Sequence, residues 1–170
     1  DYDFNNYIES KFRILNNMTV DDIFIYFKED DVINNYLEEN VILPRKLGMA
    51  LNEIPEINAR MNGRYLKFSL PARDSEEFKV NMGSINLTGP HNMVNTMASV
   101  MIAKVLNVSD RKIRSALKSF NNVPHRLEKV AEFHDVAFIN DSKATNLDAT
   151  IKALESYDRP IIWIAGGVVK

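Results

Sequence analysis

The sequence predicts an α/β fold, and three features carry that prediction. Bulky runs such as Ile23-Phe24-Ile25-Tyr26-Phe27 and Val136-Ala137-Phe138-Ile139 have strand length. Elsewhere apolar residues recur at helical spacing, as in Met93, Met97, Val100, Met101 and Val105. The third feature is a strand-to-helix junction, Asn140-Asp141-Ser142-Lys143-Ala144-Thr145-Asn146, dense in acid, base, hydroxyl and amide groups. A plain connection needs only a few small residues. α/β proteins set charged side chains and free N–H groups against a ligand at such junctions, so this heptad reads as a site.

The chain has 170 residues, 45% of them hydrophobic, enough for one sizeable domain or somewhat more. Its net charge of -2, from 21 basic and 23 acidic residues, carries no bias toward nucleic acid or anionic membranes. The absence of cysteine excludes disulfides and thiolate metal sites and fits a reducing cytoplasm. No apolar run approaches the roughly 20 residues of a membrane span. The opening Asp1-Tyr2-Asp3-Phe4-Asn5-Asn6-Tyr7 is polar and acidic, without the basic start of a signal peptide. With no initiator Met, the chain is expected to be an internal piece of a longer protein.

Taken in order, Tyr7, Ile8, Phe12, Ile14 and Leu15 predict a helix ending near Asn16-Asn17. Residues 23–27 predict a buried strand, closed by Glu29-Asp30-Asp31, and residues 32–39 a short helix. Residues 41–63 are the least legible, with Pro44 and Pro55 interrupting weak helical signals. The turn dipeptide Asn62-Gly63 predicts a hairpin between Ile57-Ala59-Met61 and Tyr65-Phe68-Leu70. Residues 84–87 are a strand candidate leading to Thr88-Gly89-Pro90.

Pro90 suits a first helical turn, and the methionine stripe after it is a core face rather than a cofactor box. Ser109 is a candidate N-cap for a helix with Ile113, Ala116, Leu117 and Phe120 on one face. Asn121-Asn122-Val123-Pro124 reads as a linker. Beyond it, residues 127–130 and 136–139 are expected to pair about His134-Asp135. A helix over 148–157 and a strand over 161–165 complete a strand–helix–strand unit. The expected division is residues 1–122 as one body and 123–170 as a second, begun but not finished, since so short a unit cannot cover both faces of a sheet.

Four segments hold groups that can do chemistry. Asn92 and Asn95 are three apart, on one helical face just after Gly89-Pro90. Their amides match the N6/N7 edge of adenine, or tie down a neighbouring loop. Arg126, in Pro124-His125-Arg126-Leu127-Glu128, can clamp a phosphate across the linker or form an ion pair there, while His125 suits packing or capping. In the heptad, Asp141 can hold a ribose hydroxyl or a Mg²⁺-bound water, and Lys143 a phosphate or carboxylate. Thr145 and the helix N-terminal amides can take a carboxylate; the structural alternative makes Asp141, Ser142 or Asn146 a cap. Lys11, in Tyr7-Ile8-Glu9-Ser10-Lys11-Phe12-Arg13, reads on its own as a solvated lysine.

Together, in this order along the chain, these segments resemble the Mur ligases, most closely the D-glutamate-adding branch, with residues 32–80 carrying least of the likeness. Mur ligases have a UDP-binding domain, a central P-loop ATPase domain and a Rossmann-like C-terminal domain. The resemblance implies that residues 1–122 are the later part of the central domain and 123–170 the start of the C-terminal one. It implies ATP and Mg²⁺ as cofactors, UDP-N-acetylmuramoyl-L-alanine and D-glutamate as substrates, and a cytoplasmic, monomeric parent enzyme of peptidoglycan synthesis. The reaction it implies is amide formation through an acyl phosphate.

The same resemblance promotes Lys11 to a catalytic position, the family's carbamylated lysine, a Mg²⁺ ligand only in that modified form; with the ATP-binding loop missing, Lys11 is expected to be unmodified here. Asn92 and Asn95 then match adenine contacts, and Arg126 and Asp141 match the positions holding phosphates and ribose. Lys143 and Thr145 match the substrate-contacting pair, Lys143 with a catalytic role. Lys170 matches a lysine that pairs with a D-glutamate carboxylate, although Val169 stands where the motif has a less apolar residue. No P-loop and no upstream Mg²⁺-binding segment occur, so these 170 residues alone are expected to be inactive. Another Mur-type or folylpolyglutamate-type amide ligase, and a non-catalytic nucleotide-binding module, are the competing readings.

Overall fold

A computed structural model describes residues 3–70, 77–85, 87, 89–120 and 123–167. Helix α1 (Phe4–Phe12) starts at Asp3, whose side chain accepts the Asn5 N–H, and ends in a 3₁₀ turn over Arg13–Leu15. Strand β1 (Ile23–Phe27) follows, then α2 (Asp31–Glu39), capped by the Asp30 carboxylate on the Ile33 N–H at 3.0 Å. Strands β2 (Arg45–Ala50), β3 (Ala59–Asn62), β4 (Tyr65–Phe68) and β5 (Phe78–Asn81) complete a five-stranded sheet in the order β1-β2-β3-β4-β5. The first two pairings are parallel and the last two antiparallel. The predicted hairpin about Asn62-Gly63 is β3–β4.

Strand β2 is the central element that the sequence concealed. Its charged start, Arg45-Lys46, and Gly48 in mid-strand break the apolar signal, yet Leu47 through Ala50 are buried. Gly48 sits opposite Tyr26 in register, and a Cβ there would stand 3.3 Å from the Tyr26 ring and hydroxyl. Asn58 grips the same residue twice, its side chain accepting the Gly48 N–H at 3.0 Å while its own N–H donates to Gly48 O at 3.1 Å. The glycine marks a close approach, not a break.

Helix α3 (Pro90–Val105) packs across β1 to β4 and fills the core with Met97, Val100 and Met101, as the methionine spacing predicted. Asn107, at φ 56°, turns the chain into α4 (Asp110–Ser119), which buries Ile113. Two local expectations are corrected. Of the strand expected over 84–87, residue 86 lies outside the described residues and Ser84, Ile85 and Leu87 are not in a strand: the Asn81 side chain accepts the Gly83 N–H and the Ser84 hydroxyl donates to Asn81 O, curling Met82–Ser84 into a 3₁₀ turn. Ile85 and Leu87 are apolar because they are buried, not because they are laddered. Ser109 precedes α4 without a side-chain cap; its carbonyl instead accepts the Lys112 and Ile113 N–H groups.

Asn121 and Asn122 of the expected linker lie outside the described residues; from residue 123 on, β6 (Glu128–Phe133) and β7 (Val136–Asn140) form an antiparallel pair about His134-Asp135, both in left-handed backbone. Helix α5 (Leu147–Leu154) follows. Residues 161–165 do not form the expected strand; they run without a ladder partner, with Ile162 and Ile164 about 90% exposed. A strand is a shared structure, and among the described residues nothing lies alongside to receive its hydrogen bonds. No helix among the described residues is long and apolar enough to cross a membrane.

Candidate functional site

The heptad lies where expected, between the last residue of β7 and the first of α5. Its polar groups divide by duty. Asn146 is the N-cap of α5, its side-chain oxygen accepting the Ala149 N–H at 2.8 Å. Asn140 closes the other end, accepting the Ser142 N–H at 3.1 Å. Asp141 accepts the Leu127 N–H at 3.0 Å through one carboxylate oxygen. That bond leaves its second oxygen for a ligand.

Residues 125–128 are laced to this turn. The Lys143 N–H donates to His125 O at 3.1 Å, and the Asn140 amide meets His125 Nδ1 at 2.8 Å. The Glu128 carboxylate accepts the His125 N–H at 2.8 Å. His125 and Leu127 both adopt positive φ, 68° and 44°, on either side of Arg126. Left-handed backbone costs a residue with a side chain about 1–2 kcal/mol, so this shape persists only because bonds hold it. His125, expected to pack or cap, is exposed and works through its backbone and ring nitrogen. Nothing in the sequence announces a left-handed histidine.

The side chains of Arg126, Lys143 and Thr145 are exposed and have no hydrogen-bond or ion-pair partner among the described residues. Two cations and a hydroxyl are thus presented to solvent, none of them paired among the described residues. Tyr157 stands near Asp141; burial, reinforced by the Asp141 charge, raises its phenol above the ordinary tyrosine value and keeps it neutral.

Asn92 and Asn95 share the first turns of α3, Asn92 half-buried and Asn95 exposed. Their carbonyls accept the Thr96 and Ser99 hydroxyls at 2.7 and 2.8 Å. Gly89 opens this helix at φ 87°, and a Cβ on it would lie 3.0 Å from Ser156 Oγ just past α5. The end of the heptad's helix therefore touches the start of the helix bearing the two asparagines. Amides, a guanidinium, a free carboxylate oxygen and an ammonium suit the base, phosphates and ribose of a nucleotide.

Lys11 stands apart. It is exposed on α1, its Nζ 5.2 Å from the centroid of the Tyr7 ring, and lines a cavity of about 390 Å³ with Phe12, Phe24, Asp30 and Ile33. None of the other candidate residues lines that cavity. An ammonium is no metal ligand, and among the described residues no three His, Asp or Glu side chains cluster to hold a cation. On their own, the described groups do not fit Mg²⁺. Lys170 and Thr88 lie outside the described residues.

Known proteins match this sequence over its whole length. The chain is similar, at 39% identity over all of its 170 residues, to a UDP-N-acetylmuramoylalanine–D-glutamate ligase of Christiangramia forsetii, and at 36% to one of Cytophaga hutchinsonii. It spans only 38% and 37% of those two relatives. Among solved structures, MurF from Acinetobacter baumannii matches with a TM-score of 0.65 at 18% identity, over 89% of this chain and 32% of that one, a likeness of fold. No family model matches. The chain is thus similar in sequence, along its whole length, to Mur ligases, and it shares the fold of one solved member of that family. Both relatives described above carry the name of the D-glutamate-adding ligase.

Proposed function

We propose that the chain is part of an ATP- and Mg²⁺-dependent ligase that adds D-glutamate to UDP-N-acetylmuramoyl-L-alanine, in cytoplasmic peptidoglycan precursor synthesis. The observation that carries this reading is the match along the whole chain to two ligases of that name. In this reading residues 1–122 are the later part of the ATP-binding domain and 123–170 the beginning of the Rossmann-like C-terminal domain.

The chemistry follows from what a carboxylate lacks, a good leaving group. A carboxylate oxygen of the UDP-linked substrate bonds to the γ-phosphorus of ATP, and the bond to ADP breaks. The amine of D-glutamate then attacks the acyl carbon; phosphate departs with the C–O electron pair and the nitrogen gives up a proton. Positioning and charge neutralisation are the protein's contribution. Asn92 and Asn95 take adenine, Asp141 the ribose, and Arg126 the phosphates. Lys143 and Thr145 face the acyl phosphate and the incoming amino acid, and Lys170 the D-glutamate carboxylate. Lys11 joins a metal only as a carbamate, which turns its cation into an oxygen donor.

Phosphate release by the full-length parent with UDP-N-acetylmuramoyl-L-alanine and a panel of amino acids tests the reading. D-Glutamate is expected to give the fastest turnover. Equal turnover with L-lysine or L-glutamate would assign the chain to another amide ligase, and no amino-acid-dependent release at all would favour a non-catalytic nucleotide module.

A further inference from the structure

We propose that Asn140 is a positioning residue that holds Arg126 in its nucleotide-binding pose by stapling His125 to the heptad turn; the proposal rests on the nucleotide reading of Arg126 and Asp141. Asn140 is the only side chain of the heptad that bonds in both directions. Its oxygen accepts the Ser142 N–H at 3.1 Å, within the turn that carries Asp141 and Lys143. Its nitrogen lies 2.8 Å from His125 Nδ1, in the loop that carries Arg126. An amide nitrogen is a donor only, so Nδ1 accepts and the ring proton sits on Nε2.

The need for such a staple comes from the backbone. Arg126 is flanked by two left-handed residues, His125 and Leu127, neither of them glycine. Leu127 is restrained by the Asp141 carboxylate and the His125 carbonyl by the Lys143 N–H, both groups of the heptad turn. The Asn140–His125 contact is the one bond to that turn made by the His125 side chain. Without it the imidazole loses its hydrogen-bond partner, Glu128 Oε2 being 3.8 Å from the same nitrogen, and residue 125 can relax toward the right-handed basin, swinging the guanidinium of its neighbour.

The test uses the full-length parent with Asn140→Ala, His125→Ala, their double variant and Arg126→Ala. Hydrogen–deuterium exchange of residues 125–127 reads the staple, and calorimetric titration with Mg-ADP reads its consequence. Asn140→Ala is expected to exchange faster over 125–127 and to bind Mg-ADP about tenfold more weakly, raising the ATP KM similarly while the KM for the UDP-linked substrate stays within about twofold. The double variant is expected to bind no more weakly than the worse single, because both remove one contact.

Unchanged exchange in Asn140→Ala overturns the proposal, as do multiplying effects in the double variant. If Asn140→Ala does not fold, His125→Ala decides by the same two readouts. Arg126→Ala separates the two layers. Wild-type Mg-ADP affinity there sinks the nucleotide reading and with it this proposal, whereas weakened binding in Arg126→Ala beside normal binding in Asn140→Ala sinks the staple alone.

Discussion

Ser156 stands against Gly89: a Cβ on the glycine would lie 3.0 Å from the serine hydroxyl oxygen, at a backbone φ of 87° that side-chain-bearing residues rarely adopt. Gly89→Ala is therefore expected to destabilise the protein by about 1–3 kcal/mol, from backbone strain plus crowding. Urea unfolding measures it. Adding Ser156→Gly relieves only the crowding, so the double variant should recover part of the loss; full recovery would show that the backbone angle costs nothing.

Lys143→Ala separates chemistry from folding. Among the described residues Lys143 bonds only through its backbone N–H, which alanine keeps, so stability should change by less than about 0.5 kcal/mol. Ligation by the parent should fall by several kcal/mol in transition-state terms, roughly a hundredfold or more. Steady-state kinetics beside a thermal melt decide. A variant that ligates normally would remove Lys143 from the site.

Asn146→Ala tests the division of labour inside the heptad. Asn146 bonds the Ala149 N–H, so its loss should cost about 1 kcal/mol of stability, the usual value of an N-cap. Mg-ADP affinity should hold within about twofold. An affinity loss without a stability loss would make Asn146 a ligand contact instead.

Glu77 supplies a pH signature remote from the site. Its hydrogen bond to Lys79 is the largest effect and lowers its pKa below the ordinary value; partial burial, next in size, opposes it, and the charges of Lys79, Lys67 and Arg60 add to the lowering. A depressed folded value means the contribution is present above the unfolded pKa of about 4.3 and is lost as pH falls below it. Solvent reaches this carboxylate, so the effect should stay under about 1 kcal/mol. Glu77→Gln should lower stability slightly at pH 7 and leave it closer to wild type near pH 3, read by urea midpoints across pH. A pH-independent difference would discount the ion pairs.

The legible parts of the fold were those whose signal is local. The Ile23–Phe27 strand, the Asn62-Gly63 turn and the methionine face of α3 announce themselves within a few residues. Strand β2 did not, because its place between two parallel neighbours is a long-range fact and Gly48 answers to Tyr26, 22 residues away in the chain. Residues 161–165 erred the other way: strand composition without a neighbour yields no strand. The heptad's place at a strand-to-helix turn could likewise be read from its residues. The roles of His125 and Asn140 could not, since they depend on a backbone angle and a contact 15 positions apart.

The lacing between residues 125–128 and 140–143 has a mechanical consequence. Every bond in it lies on the C-terminal side of Pro124. Arg126 donates its own N–H back to Val123 O at 3.2 Å, but the residues on either side of it are tied to the heptad turn. The guanidinium of Arg126, the carboxylate of Asp141 and the ammonium of Lys143 are therefore mounted on one laced frame, and a push on any of the three is shared by the other two.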